Sequence, residues 1–248
     1  MAIATTVSQE RVRNGTQTVA TQQTEATAPP LENGDRLTRA EFERRYQQYP
    51  QLKKAELIES EVYVGSPVHV QSHADPHFDL ISWLGFYRAA TPGVRGSDNA
   101  TLRIDLENEP QPDILLRLDR HYGGRTYISE DDYLEGSPEL IVEVAASSAS
   151  YDLNKKKRIY ARNGVQEYLV AQAYERRIDW FALHDSGYIS RQPDDNGVIR
   201  SAVFPGLWLA AEAVWPGDLA QMLAVLQQGM ASPEYAAFVE QLQQRSAS

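Results

Sequence analysis

Two acidic side chains within apolar, strand-like runs are the residues best suited to chemistry in this 248-residue chain. Glu143 interrupts the run LIVEVA, and Asp113 opens the run DILLRL directly after Pro112. Because side chains alternate along a strand, Ile141, Glu143 and Ala145 are predicted to share one face. A carboxylate buried there must be paired, hydrogen-bonded or bound to a metal ion. An ion pair with a lysine or arginine is the structural alternative.

Asp113 and Glu143 together have the chemistry of a magnesium site. Pro112 cannot donate to a sheet ladder, so it is expected at a strand's first residue or at an interruption, where neighbouring strands can splay apart. Mg²⁺ binds one or two carboxylates, keeps several waters and reaches out to substrate phosphate. The ion polarises a phosphoryl oxygen and lowers the pKa of an attacking water. The pair therefore predicts metal-dependent phosphoryl chemistry on two adjacent strands.

A basic stretch after Glu143 offers positive charge that would stabilise a phosphoryl-transfer transition state. The four consecutive residues are Lys155, Lys156, Lys157 and Arg158. At helical spacing they spread over most of a turn, so only one can face the site. Lys156 and Tyr160 are four residues apart and share a helix face. The alternative is that all four side chains solvate the helix surface.

The order of these motifs resembles the Uma-two family of restriction-endonuclease-like proteins, which belongs to the PD-(D/E)xK superfamily. The resemblance covers roughly residues 36–210 and is densest from 138 to 170. The matching residues are Pro112, Asp113, Glu143, Ser147 or Ser148, Asp152, Leu153, Lys156, Tyr160, Ala161, Gly164, Val165, Glu167 and Tyr168. The early run AELIESEVYV and the helix PHFDLISWL are also similar to the family's first hairpin and first core helix.

The resemblance implies an α/β fold in which a restriction-endonuclease-like mixed sheet is flanked by helices. It implies Asp113 and Glu143 as ligands of Mg²⁺ or Mn²⁺ and as catalytic residues. The superfamily's lysine usually stands two residues after the glutamate, where this chain has Ala145. Lys156 on the following helix is the matching position, so the resemblance assigns it the catalytic lysine's role.

Four further residues are candidates for supporting contacts around the pair. Tyr160 and Asp152 are candidates because they lie on the helix that carries Lys156, although Asp152 could instead cap that helix. Glu56 lies in the early hairpin, and His77 lies near the start of a helix that could face the cleft. A competing interpretation is a zinc site built from His69, His73 and His77 at spacings of four. The Asp75–Pro76 helix start argues against it, because the three histidines would then not share one face.

Composition restricts the class of protein. The chain has no cysteine, which excludes disulfides and cysteine-ligated metals. It has no apolar run of about 20 residues and no compact signal sequence, so we expect a cytoplasmic protein without a membrane segment. A formal charge of −10 argues against a protein that coats nucleic acid nonspecifically, but it leaves room for a local basic surface.

The elements predicted around these motifs define two regions. Residues 1–34, rich in Thr, Gln, Ala and Ser, are predicted to be a disordered arm. Residues 35–248 are predicted to form one restriction-endonuclease-like domain that includes the C-terminal helices, with earlier helices from Arg39 to about Gln48 and from Asp75 to Pro92. Strands are expected at AELI, EVYV, TLRIDL, DILLRL, LIVEVA, YLVAQ, RIDWFALH, YIS and VIRSAVF. C-terminal helices are expected over about 217–246, after Asp218 and after Ser232.

These features favour a Mg²⁺-dependent endonuclease that hydrolyses phosphodiester bonds of DNA. The alternative is a nucleic-acid- or protein-binding module that keeps the fold without the reaction. The net negative charge of the chain and the alanine at position 145 favour this alternative. The apolar C-terminal helices and the aromatic residues are compatible with a homodimer.

Overall fold

The computed structural model describes residues 28–246. Most of the predicted disordered arm, residues 1–27, lies outside this range. Residues 28–34, which the sequence analysis placed in the arm, pack against the first helix. Ala28 and Leu31 are buried there, and the Ala28 amide donates to Gln48 Oε1 at 2.8 Å.

Thirteen strands and six α-helices make up the described region. The strands are β1 (Ala55–Ile58), β2 (Glu61–Val64), β3 (Val94–Asp98), β4 (Leu102–Arg103), β5 (Ile114–Leu118), β6 (Tyr127–Ile128), β7 (Leu134–Glu135), β8 (Leu140–Ala145), β9 (Glu167–Gln172), β10 (Arg177–His184), β11 (Gly187–Arg191), β12 (Val198–Arg200) and β13 (Trp208–Ala210). The helices are α1 (Arg39–Gln48), α2 (Asp75–Ala90), α3 (Ala149–Tyr151), α4 (Lys157–Arg162), α5 (Leu219–Met230) and α6 (Pro233–Ser246).

A six-stranded mixed sheet in the order β11-β10-β9-β8-β5-β3 is the centre of the fold. The pair β8–β9 is parallel and every other pair in this sheet is antiparallel. A parallel pair requires a crossover connection, and here the helical segment 149–162 supplies it. Helices α2, α5 and α6 contribute to the core on one face. The helical segment contributes to the core on the other face. The predicted fold class, a mixed sheet flanked by helices with further C-terminal helices, is confirmed.

The alternation predicted for β8 is present. Leu140, Val142 and Val144 belong to the core with α2 and α5. Ile141 and Ala145 belong to the core with the helical segment. All six residues of β8 are buried, as expected of a strand covered on both faces. Glu143 therefore lies on the side of the sheet that the lysine-bearing helical segment covers.

Two predicted helix starts are supported by side-chain hydrogen bonds from the capping residues. The Thr38 side chain accepts from the Glu41 amide at 3.3 Å, and the Asp218 side chain accepts from the Gln221 amide at 3.0 Å. Helix α2 begins at Asp75 as predicted, but a π-helical turn, Val70–Ala74, precedes it. The helical backbone conformation therefore starts before Pro76. Phe78 of α2 is a large apolar residue that is 68% exposed.

Two predicted strands are shorter than expected. In TLRIDL only Leu102–Arg103 is a strand, and Leu106 is exposed. The Asp105 carboxylate accepts from the Glu107 amide and from the Asn108 side chain, which closes a turn and ends the strand. In VIRSAVF only Val198–Arg200 is a strand. Within residues 28–246, no helix has both the length and the apolar character needed to cross a membrane.

The segment 149–162 consists of α3, a π-helical turn (Asp152–Lys156) and α4. π-Helical turns are rare and are frequently found at functional sites. The turn contributes two buried ionisable residues, Asp152 and Lys156, and the first turns of α4 contribute buried Tyr160. The segment therefore directs charged and phenolic groups toward the sheet.

Candidate metal-binding and catalytic site

A cavity of about 890 Å³ lies beside the start of β5 and the end of β8. Its lining includes six of the predicted site residues, Glu56, His77, Asp113, Glu143, Asp152 and Lys156. The seventh, Tyr160, lies outside the lining but contacts Glu143. The structure thus brings together residues that are as far apart in the sequence as Glu56 and Tyr160.

The sheet register places Asp113 opposite Glu143. Strands β5 and β8 are antiparallel with Ile114 opposite Val142, so the next pair outward is Asp113 and Glu143. The Val144 amide donates to Asp113 Oδ2 at 2.9 Å, which fixes the aspartate against the neighbouring strand. The prediction that these two acidic residues meet across adjacent strands agrees with this register.

Two cationic or polar side chains contact the Asp113 carboxylate. Lys54 Nζ lies 2.9 Å from Oδ1, and His73 Nε2 lies 3.3 Å from Oδ2. Burial opposes ionisation of Asp113, but the hydrogen bond from His73 and the charge of Lys54 outweigh it and hold the pKa of Asp113 well below its usual range. Asp113 is therefore a carboxylate, the form that a metal ion requires.

Lys156 is the centre of a buried charge cluster. Its Nζ lies 2.9 Å from Glu56 Oε1, 3.0 Å from Glu143 Oε1 and 3.6 Å from Asp152 Oδ1. Burial opposes the charge, but Glu143 and then Glu56 stabilise it and raise the pKa of Lys156 well above its usual value. The lysine is therefore a permanent cation in contact with three carboxyl groups.

The hydrogen bonds of the Glu143 carboxyl group are made by one of its two oxygens. Its Oε1 accepts from Lys156 Nζ and, at 3.1 Å, from the Tyr160 hydroxyl. Within residues 28–246, Oε2 accepts no hydrogen bond. Burial raises the pKa of Glu143 to about 8, despite the opposing charge of Lys156, and the nearby carboxylates of Asp113 and Asp152 raise it further. This carboxyl group therefore favours a proton, or another cation, at the cavity.

The remaining predicted residues have defined positions. The Glu56 Oε1 atom accepts from the Gln111 amide at 2.7 Å in addition to its pair with Lys156. Asp152 lies inside the helical segment and does not cap it, and burial raises its pKa. His77 Nε2 lies 3.2 Å from both the Asp113 carbonyl oxygen and Asp98 Oδ1. His77 therefore contacts the backbone of the candidate ligand and not its carboxylate.

Sequence reasoning did not find Lys54 and gave His73 only to the zinc interpretation. Lys54 precedes β1 by one residue, and alternation places it on the same side as Glu56, which was a signal that could have identified it. His73 and His77 lie side by side with ring centroids 5.5 Å apart, because helical winding begins before Asp75. The argument that the helix start separates these two histidines was therefore wrong. His69, however, precedes the first helical residue in an extended conformation, so the three histidines do not share one helix face.

The donor set fits a divalent metal ion by its charge. Four carboxyl groups, those of Glu56, Asp113, Glu143 and Asp152, meet two ammonium groups, those of Lys54 and Lys156. When all are ionised the cluster carries an excess of two negative charges, the amount that one divalent ion neutralises. No group of three or more His, Cys, Asp or Glu side chains in the described range is arranged as a preformed metal site. Mg²⁺, however, needs only one or two protein carboxylates.

A solved structure shares the fold defined by this sheet. Its description is "putative nuclease belonging to DUF820" from Anabaena variabilis, with 12% sequence identity and a TM-score of 0.52. The match covers 70% of this chain and 96% of that chain. At this identity the likeness establishes the fold alone.

The family follows from the sequence match. The model of the Uma2 family, described as "Putative restriction endonuclease", matches residues 40–212. Since this is well over half of the chain, the chain belongs to the Uma2 family, and the resemblance found in its motifs is confirmed. Among curated proteins, none matches the chain.

Proposed function

We propose that the protein is a divalent-metal-dependent endonuclease that hydrolyses phosphodiester bonds of DNA. The observation that supports this most is that Asp113 and Glu143 lie opposite each other beside a cluster of four carboxyl and two ammonium groups, which carries two excess negative charges when all are ionised. The family description supports the same class of reaction. Asp113 and Glu143 would hold Mg²⁺ or Mn²⁺.

The roles of the chain's own residues follow from their contacts. Lys156 and Tyr160 donate to Glu143 Oε1, so they orient the glutamate and leave Oε2 without a hydrogen bond within residues 28–246. Lys54 is the more accessible ammonium group, with a side chain 29% exposed, and it would stabilise negative charge on the scissile phosphate. His73 and Lys54 keep Asp113 ionised. A bound Mg²⁺ would polarise the phosphoryl oxygen and lower the pKa of the attacking water.

A nicking assay on supercoiled plasmid DNA tests the proposal. Purified full-length protein should nick the plasmid in the presence of Mg²⁺ or Mn²⁺ and not in EDTA. Glu143→Gln and Asp113→Asn should abolish nicking. Matched controls are Glu175→Gln and Asp185→Asn, which change exposed residues outside the cavity and should retain it. Nicking that survives both cavity substitutions would remove this site from the mechanism.

A second candidate function is a binding module without catalysis. It is favoured by one observation: Lys54 and Lys156 already neutralise one oxygen each of Asp113 and Glu143. Calorimetry separates the two. An endonuclease should bind one Mn²⁺ per chain, and this binding should be lost in Glu143→Gln. A binding module should take up no ion at this site.

A further inference from the structure

A second cavity, of about 590 Å³, lies at the start of β10 and the end of β11. Its lining includes three arginines, Arg176, Arg177 and Arg191, and the carboxyl groups of Asp179 and Glu212. Arg191 pairs with Trp180 and therefore lies on the face of the sheet opposite to Glu143. The other two, Arg176 and Arg177, are here called the arginine surface. A concentration of guanidinium groups is notable in a chain with a formal charge of −10. Guanidinium groups bind phosphate with paired hydrogen bonds, which makes an arginine cluster suited to a phosphate backbone.

The sheet register fixes where the arginine surface lies relative to the candidate catalytic cavity. Ala145, two residues after Glu143, pairs with Gln172, and Gln172 pairs with Arg177. Two strand spacings separate Ala145 and Arg177, a distance of about 10 Å between their backbones. Paired residues point to the same face, so the side chain of Arg177 is on the same side of the sheet as that of Glu143.

The guanidinium groups are available for a ligand. Arg176 forms no hydrogen bond or ion pair with any residue in the described range, and Arg177 is 58% exposed with only Asp179 as its ion-pair partner. Tyr174, in the same turn as Arg176, is 64% exposed. The turn therefore presents an aromatic ring beside unpaired positive charge.

We infer that the arginine surface contacts the phosphate backbone of a DNA strand whose scissile phosphate lies at Asp113 and Glu143. This inference rests on the proposed endonuclease function and extends it to substrate positioning. Phosphates of one strand follow each other at about 3.4 Å along the helix axis, so a separation of about 10 Å corresponds to about three nucleotides. The exposed ring of Tyr174 offers a face on which a base or sugar can pack.

The test measures DNA binding in EDTA, so that it does not depend on metal or cleavage. Fluorescence anisotropy of a labelled 20-base-pair duplex is recorded with full-length protein at several salt concentrations. Arg176→Gln/Arg177→Gln should weaken binding about tenfold and lower the slope of log affinity against log salt by about 2, because two phosphate contacts are lost. The matched control, Arg88→Gln/Arg120→Gln, removes two exposed arginines outside both cavities and should bind as the wild type does.

Several outcomes are informative. Arg176 is exposed and has no hydrogen bond or ion pair within residues 28–246, so a loss of affinity in Arg176→Gln alone would report a lost DNA contact and not a lost structural one. Equal affinity and equal salt slope in the wild type and the double variant would overturn the inference, even if the wild type nicks plasmid. DNA binding that depends on these arginines, in a protein that does not nick plasmid, would support this contact surface and contradict the endonuclease proposal.

Discussion

Replacement of Lys156 by methionine is the sharpest test of the buried charge cluster. Methionine keeps most of the length of the side chain and removes the ammonium group. Lys156 is 3% exposed and lies 2.9 and 3.0 Å from the carboxyl groups of Glu56 and Glu143. Removing one partner from a buried ion pair costs about 3–5 kcal/mol, because the remaining charge stays buried without compensation.

Lys155→Met is a control from the adjacent position. Lys155 pairs with Glu61, but its side chain is 34% exposed, and such surface pairs contribute only about 0–1 kcal/mol. Urea denaturation at neutral pH should therefore separate the two variants by several kcal/mol. Thermal denaturation should show a decrease in Tm of about 6–20 °C for Lys156→Met, since 1 kcal/mol corresponds to about 2–4 °C in a protein of this size. Equal stabilities of the two variants would refute the assignment of Lys156 as the central cation.

Two further predictions concern other charged groups. Burial raises the pKa of Glu167 to about 7 from 4.5, so its protonated form favours the folded state and its contribution to stability is lost as pH rises from about 4.5 to 7. In urea titrations at pH 5 and 7.5, the decrease in unfolding free energy between the two pH values should be smaller in Glu167→Gln than in the wild type, by up to about 3 kcal/mol. The same decrease in both proteins would contradict the assignment. Lys54→Met should bind Mn²⁺ more tightly in calorimetry while nicking more slowly, because the ammonium group competes with the ion for Asp113 and would also stabilise the scissile phosphate. Weaker Mn²⁺ binding would argue that Lys54 supports the metal site instead.

Local rules in the sequence account for much of the fold. Thr38 and Asp218 mark helix starts because their side chains satisfy exposed backbone amides. Alternation in β8 correctly separated Glu143 from Val142 and Val144, since strand geometry leaves no other arrangement. The spacing of Lys156 and Tyr160 was equally informative, and both contact the same oxygen of Glu143.

Features that depend on long-range contacts could not be predicted in the same way. The ion pair between Lys54 and Asp113 joins residues 59 positions apart, and no local pattern specifies it. The exposure of Phe78 has the same origin, because its position at the cavity depends on how α2 packs against the sheet. The assignment of residues 35–248 to a single domain stays a prediction, as do the homodimer and the roles of the site residues.

Anomalous diffraction from crystals grown with Mn²⁺ would test the central claim most directly. The account predicts one anomalous peak in contact with both the Asp113 and the Glu143 carboxylates, and its loss in crystals of Glu143→Gln. Crystals grown in saturating Mn²⁺ that keep both lysine ion pairs and show no anomalous peak between the two carboxyl groups would contradict it.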